Sequence, residues 1–389
     1  MESSMINVLF ALLRESVCGQ PCPDALREQI TPEMLPKLYA ISKSHDISHL
    51  LAGGLHSPSL AADDPFLQKF AKQQMLAVYR YRQINYELEQ VCLILEAAAI
   101  PFIPLKGSVL RRFYPQPWMR TSCDIDILVH ESDLDRAIEV LVAQRGYENK
   151  GRDYHDVSLF SSGGVHLELH FDLVEEEYAN EASRLLERVW EYATPREDCS
   201  YHCEMREEMF YFYHMAHMAK HFEFGGCGIR PLLDLWILDH SVEHDALQRD
   251  RLLEEGALLV FANACRSLSG AWFSGATADA TAQAMQRYIL TGGVYGSMEN
   301  RVAVQQKKSG GRLGYLLSRI FLPYESLRDL YPILQKKRWL MPLMQVRRWF
   351  RLLFGGRMKQ SLRELRTNEK ISEEKRNETA SLLDRLDLH

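Results

Sequence analysis

Two aspartates one residue apart, Asp124 and Asp126, sit in the run CDIDILV. Apolar residues alternate with the acids, which is the period of a strand. Both carboxylates then leave one face, while Ile125, Ile127 and Val129 leave the other toward a core. Neighbouring carboxylates repel each other unless a cation lies between them. Oxygen donors suit magnesium or manganese rather than zinc, and two such ions about 3.5–4 Å apart are the usual arrangement for phosphoryl transfer. A third carboxylate from a neighbouring strand would complete the ligand set, and VHLELHF supplies one. Val165, Leu167, Leu169 and Phe171 share one face; His166, Glu168, His170 and Asp172 share the other. Four polar side chains on one face of an apolar strand are costly in a buried sheet unless they serve a site. Glu168 is expected to be the third ligand, placed to accept a proton from an attacking hydroxyl. The plainer alternatives are solvated acids at a strand end and a strand whose polar face meets water.

Ahead of the acids lies the turn Leu105-Lys106-Gly107-Ser108. A glycine allows backbone to approach a phosphate closely, and a helix starting there aims free N–H groups at the anion. Ser108 can donate a further hydrogen bond, Lys106 offers a charge, and Arg120 lies within reach of the same polyphosphate. Singly, each is a weak signal, because any loop can hold a Lys-Gly.

Together, L-K-G-S, Y-P-Q-P-W-M-R and D-I-D-I-L-V resemble the bacterial uncharacterised nucleotidyltransferase family of the DNA polymerase beta-like superfamily. Gly107-Ser108, Asp124-x-Asp126 and Glu168 match the superfamily pattern of a Gly-Ser turn, a D-x-D strand and a later acid. Glu168-Leu169-His170-Phe171 is similar to the family's Asp-x-His-aromatic strand, with Glu in place of Asp. The likeness extends over roughly 40–360 and includes His217-x-x-Lys220-His221 and Gly228-Ile229-Arg230-Pro231-Leu232-Leu233-Asp234-Leu235. It implies transfer of a nucleoside monophosphate from a nucleoside triphosphate to an acceptor, with release of pyrophosphate and with Mg2+ or Mn2+ held by Asp124, Asp126 and Glu168. The acceptor is left open among a small molecule, a lipid-linked phosphate, RNA and protein. His170, His217, Lys220, His221, Arg230 and Asp234 are expected to line the substrate cleft. His214, His217 and His221 fall within about 60° on a helical wheel, which fits a metal face or, more plainly, a core or lining face. Arg230 and Asp234, four apart, are spaced to pair with each other. The alternatives are a D-x-D glycosyltransferase using a nucleotide sugar and a degenerate protein that only binds a nucleotide.

The elements that must position these residues follow from texture. Residues 1–100 read as helices, the clearest starting at Asp64-Pro65, a cap followed by a first-turn proline. Residues 101–200 read as a small mixed sheet with flanking helices. They include a helix begun by Ser132 and closed by Gly146, and a hairpin formed by DVSLF and VHLELHF around Ser-Ser-Gly-Gly. Residues 201–300 read as helices completing the cleft, and 301–389 as a basic helical region with a mobile tail ending in a short helix. The class is α/β (α+β), a nucleotidyltransferase-type sheet embedded in helices on both sides.

Of 389 residues, 46 % are hydrophobic and 25 % charged, ordinary for a globular protein. No apolar run approaches a membrane span. The first 16 residues lack a basic start and read as an amphipathic helix rather than a signal peptide, so the cytoplasm is the expected location. The 8 cysteines include Cys18/Cys22 and Cys199/Cys203, a spacing unlike zinc ribbons, and are expected to be reduced and mostly buried. The net charge of −6 is uneven. Residues 301–367 hold 16 Lys and Arg against 3 Asp and Glu. That suggests either an anionic surface partner for this segment or packing on the acidic remainder of the chain.

Overall fold

The alternation around Asp124 and Glu168 places one apolar face on each strand, and that face organises the sheet. In the computed structural model, which describes residues 3–174, 180–354, 367–369 and 371–388, five strands form it. They are β1 (Phe102–Pro104), β2 (Asp124–Val129), β3 (Glu148–Arg152), β4 (Asp156–Phe160) and β5 (His166–His170), in the order β1-β2-β5-β4-β3. β2 and β5 are parallel and every other pair is antiparallel. A parallel pair needs a long crossover; here it contains the helix Leu134–Arg145 and the strands β3 and β4. The β4–β5 hairpin forms as the Ser-Ser-Gly-Gly turn predicts.

Ile125, Ile127 and Val129 of β2, Leu167 and Leu169 of β5 and Val157 and Leu159 of β4 form one core. They pack with Val91 and Leu95 from the helix Pro65–Ala97 and with Leu134, Ala137 and Leu141 from the crossover helix. At roughly 1.5–3 kcal/mol per buried large aliphatic side chain, this face holds the sheet, and the opposite face is left to carry the acids. The long helix starts where the sequence says it should: the Asp64 carboxylate accepts the Phe66 N–H at 2.7 Å, ahead of Pro65. The crossover helix ends on Gly146 at φ 64°, as expected. Its start differs. Ser132 lies inside a 3-10 turn, Glu131–Asp133, and the helix begins at Leu134 without a side-chain cap.

The first helix, Ser3–Val17, forms as an amphipathic helix, with Asn7 exposed, but its buried face is wider than one stripe. Val8 through Leu13 are all buried, because the helix packs on more than one side, with Phe10 stacked on Trp272 at 4.5 Å. A second small sheet was not foreseen. It pairs β6 (Ala193–Pro195) with β7 (Cys203–Met205), and the intervening loop is tied to the long helix by Glu96, which accepts the N–H groups of Ser200, Tyr201 and His202.

By internal contacts the chain forms two compact units. One comprises Met1–Ala219 with Gly228–Gln283, and the other Lys220–Cys227 with Ala284–His389. In the second unit the helix Met298–Lys308 packs against the helix Glu373–Arg385. That last helix is longer than the short one expected. It is capped by Ser372 and buries Thr379, Leu382 and Leu383. The basic stretch includes the helices Arg312–Ile320 and Met341–Phe354; its expected helical part at 355–366 lies outside the described residues.

Candidate functional site

The parallel register sets Asp124 opposite His166 and Asp126 opposite Glu168. The three acids therefore share the sheet face away from the core, with His166 and His170 beside them. Potential ligand atoms of Asp124, His166 and Glu168 lie within 4.8 Å of one another, as do those of Asp126, Glu168 and His170. Asp126 is buried, and its Oδ1 takes the Lys106 ammonium at 2.8 Å and His170 Nε2 at 3.1 Å. The same His170 nitrogen is 3.5 Å from Glu168 Oε2. Asp172, counted on this face from the sequence, lies beyond β5, where its carboxylate accepts the Val174 N–H.

The two aspartates are electrostatically unlike. Burial raises the Asp124 pKa, and the charges of Asp126 and Glu168 add to the rise. Burial also acts to raise Asp126, but the Lys106 charge and the His170 hydrogen bond outweigh it and hold this carboxyl well below the usual range. Burial lowers the Lys106 ammonium, while Tyr213, Asp126 and Glu168 together carry it above its ordinary value. His170 behaves likewise: burial pulls it down, and the hydrogen bonds to Asp126 and Glu168 bring it out above the ordinary histidine value. The site is thus an acidic cluster in which one carboxylate has cationic partners and another is left in repulsion.

The turn before β2 is unusual in its backbone. Lys106 has φ 44°, a region few side chains occupy, at a strain of about 1–3 kcal/mol. That conformation lets its ammonium reach Asp126. Gly107 opens a four-residue helix, Gly107–Leu110. A Cβ on Gly107 would stand 3.2 Å from Ser122 Cβ and 3.5 Å from Arg120 Nη1, so the turn is packed directly against the segment that leads into the strand of the two aspartates. Ser108 Oγ is buried without a hydrogen-bond partner. Ser108 also lines a cavity of about 590 Å³ walled by Tyr81, Leu88 and Cys92 of the long helix and by His202 and Met205. None of the three acids lines that cavity.

Arg120 and the downstream helix behave differently from the spacing argument. Asp234, almost fully buried, binds Arg120 Nε at 2.7 and 2.9 Å and the Tyr114 hydroxyl at 2.7 Å. Arg230 donates instead to Asp46 at 2.8 Å, and Asp46 also accepts the Thr121 hydroxyl at 2.9 Å. The expected pair of Arg230 with Asp234 does not form, because each finds a partner brought in from far along the chain. The result is a buried ionic frame under residues 114–121, the segment that leads into β2.

Among models of known protein families, one described as uncharacterised nucleotidyltransferase matches residues 32–270. The chain belongs to that family. No curated protein matches it. The match spans the whole sheet, the Lys106–Ser108 turn and the Arg120–Asp234 frame, and the mixed five-stranded sheet flanked by helices accords with the nucleotidyltransferase fold.

In this nucleotidyltransferase-family chain, His214, His217 and His221 belong to no group of three metal-ligating side chains among the described residues. His214 is buried and hydrogen-bonded to the Pro231 carbonyl at 3.0 Å; the ring of His217 lies 6.4 Å from that of Tyr213 and the ring of His221 6.2 Å from that of Tyr295. Lys220 and His221 fall in the second unit and the acids in the first. All 8 cysteines are free; three are buried, four are half-buried and Cys123 is exposed. Among the described residues no helix is long and apolar enough to cross a membrane.

Sequence reasoning missed Asp46, Tyr114, Tyr213, His155 and Asp156. Tyr213 is buried near Lys106 and the three acids, and burial raises its phenol pKa. Asp156 pairs in register with His170, which the strand period of DVSLF would have indicated once the hairpin register was counted. Nothing in the local pattern marks Asp46 or Tyr114.

Proposed function

We propose that the chain transfers a nucleoside monophosphate from a nucleoside triphosphate to an acceptor group and releases pyrophosphate. The observation that carries this reading is the register of the two parallel strands, which sets Glu168 beside Asp126 with Asp124 two residues along the same face. The donor set fits magnesium or manganese: three carboxylates, one of them raised by burial and then by repulsion from the others, on a face open to solvent at Glu168. Asp124, Asp126 and Glu168 would hold the ions, which when bound neutralise phosphate charge and polarise the phosphoryl group.

The remaining roles belong to the chain. Glu168, half-buried at the edge of the cluster, accepts the proton of the attacking hydroxyl. Lys106 hands part of its charge to the phosphates from its place on Asp126, and Gly107 lets the turn's backbone approach them. Arg120 serves as a positioning residue: gripped by Asp234, with Nη1 on the Thr121 carbonyl, it holds the segment that feeds β2. Residues 101–200 form the catalytic core, with Tyr213 of the helix Glu207–Glu223 buried near Lys106.

The test uses the full chain with magnesium, cell extract and each α-labelled triphosphate in turn. Label should pass to an acceptor, and Asp124→Asn and Asp126→Asn should both abolish the transfer. Normal transfer by both variants would overturn the site. Thermal stabilisation by nucleotide sugars but not by triphosphates would replace the reading with glycosyl transfer.

A further inference from the structure

His170 is wired on one side only. Its Nε2 faces Asp126 at 3.1 Å and Glu168 at 3.5 Å, both carboxylates that can only accept. That nitrogen therefore carries the proton. The opposite nitrogen, Nδ1, is buried and has no hydrogen-bond partner, on a residue that is 3 % exposed. Whether a lone pair in the neutral ring or an N–H in the protonated one, it has nothing to meet it, a costly state inside a protein that a metal on the neutral ring would relieve. His155 and Asp156 stand where β4 begins, on the strand that flanks β5 on the side opposite β2. Asp156 is its register partner on β4, the His155 and His170 rings lie 5.5 Å apart, and ligand atoms of all three residues fall within 4.8 Å of one another.

We propose that His155, Asp156 and His170 form a second metal site, for a divalent transition ion such as zinc, next to the carboxylate cluster. Two imidazoles and one carboxylate are a donor set for zinc or its neighbours, whereas three carboxylates favour magnesium or manganese. With metal–ligand bonds of about 2.0–2.1 Å, donors of one tetrahedral ion stand roughly 3.3 Å apart; His155 Nε2 and Asp156 Oδ2 are already at 3.2 Å. The backbone is fixed for the purpose. The His155 carbonyl accepts the N–H groups of Phe171 and Asp172, which clamps the β3–β4 turn over the end of β5. Asp126 then plays the part that a carboxylate commonly plays behind a metal-bound histidine, taking the other ring N–H and fixing the tautomer and orientation. The two centres share no ligand atom but are joined through the Asp126–His170 hydrogen bond.

The test reads metal content and does not depend on any transfer reaction. Full-length protein is stripped with a chelator, exposed to zinc, dialysed against excess magnesium and assayed for bound zinc; cobalt is used in parallel for its visible spectrum. The expected result is one zinc per chain in the wild type and in Asp124→Asn, with no thiolate-to-cobalt charge-transfer band. His155→Gln and Asp156→Asn should each weaken zinc binding at least tenfold without altering the circular dichroism of the metal-free protein. His155→Ala serves as a third variant should either misfold. No zinc retained by the wild type, equal zinc in both folded variants, or a thiolate band that places the ion on cysteines would each overturn the proposal. So would zinc lost in Asp124→Asn but kept in His155→Gln, because that assigns the ion to the carboxylates.

Discussion

Asp124 and Asp126 read as equivalents in the motif, yet their surroundings are opposite. Replacing Asp124 by Asn removes a carboxylate whose pKa is raised by burial and by two like charges. The metal-free protein should keep or gain thermal stability while transfer is lost. Replacing Asp126 by Asn strips Lys106 and His170 of a buried partner, and breaking such a pair costs about 3 kcal/mol. Its melting temperature should fall as transfer disappears, so calorimetry of the two metal-free variants should show a drop for Asp126→Asn and none for Asp124→Asn. A second residue-scale effect lies at His45, fully buried with neither ring nitrogen partnered. Burial lowers its pKa from 6.5 to about 4. The unfolded chain therefore binds a proton more readily than the native one between those values, and stability declines as pH drops from 6.5 toward 4, by about 3 kcal/mol in all. His45→Leu should flatten that part of the pH–stability curve in denaturant titrations. An unchanged slope would acquit His45 as the cause.

At the scale of elements, the site depends on how closely the Lys106–Ser108 turn lies on β2. Gly107→Ala places a methyl group 3.2 Å from Ser122 Cβ. The crowding should cost about 1–2 kcal/mol and push the turn away from the acids, so the KM for triphosphate should rise while acceptor KM holds. Equal triphosphate KM in variant and wild type would show that the turn does not face the phosphates. The second unit has a tighter contact. Gly296 has φ 70°, and a Cβ there would meet the Gly225 carbonyl oxygen at 2.0 Å. Gly296→Ala should therefore loosen 220–227 and 284–300, seen as faster hydrogen exchange in those stretches. The Arg120–Asp234 and Arg230–Asp46 pairs follow the same logic: elements distant in sequence meet, and long-range partners displace the local i, i+4 pairing.

Over the whole molecule the charge is split, and the basic end is the part still without a task. Within Met341–Phe354 the arginines differ. Arg348 donates to the Arg319 and Ile320 carbonyls and Trp349 Nε1 to that of Ile320, so both secure the end of the helix Arg312–Ile320. Arg347 and Arg351 are exposed, as are Trp339 and Phe350. If this face receives an anionic acceptor, Arg347→Glu with Arg351→Glu should raise acceptor KM and flatten its salt dependence, since counterion release falls with each lost phosphate contact. Triphosphate KM should not move, and the melting temperature should fall only slightly, through loss of the Arg347 contact with the Tyr331 ring. An unchanged acceptor KM would remove the segment from the reaction. Adding Arg348→Glu should, by contrast, lower stability through the two lost carbonyl bonds.

What the residues alone determined is whatever has a short period or a local cause. The D-x-D strand, its apolar reverse face, the hairpin that presents Glu168, the Asp64 cap and the Gly146 stop were all legible, because strand alternation and capping act over a few residues. The burial of the first helix, the β6–β7 sheet and the partners of Arg120, Arg230 and Asp234 were not. They depend on which elements meet, and a buried charge takes whichever partner the packing brings within hydrogen-bond reach rather than its neighbour in sequence. The same holds for His155 and Asp156: their types were visible in the chain, but only the register of β4 on β5 set them beside His170, whose Nδ1 is unpartnered.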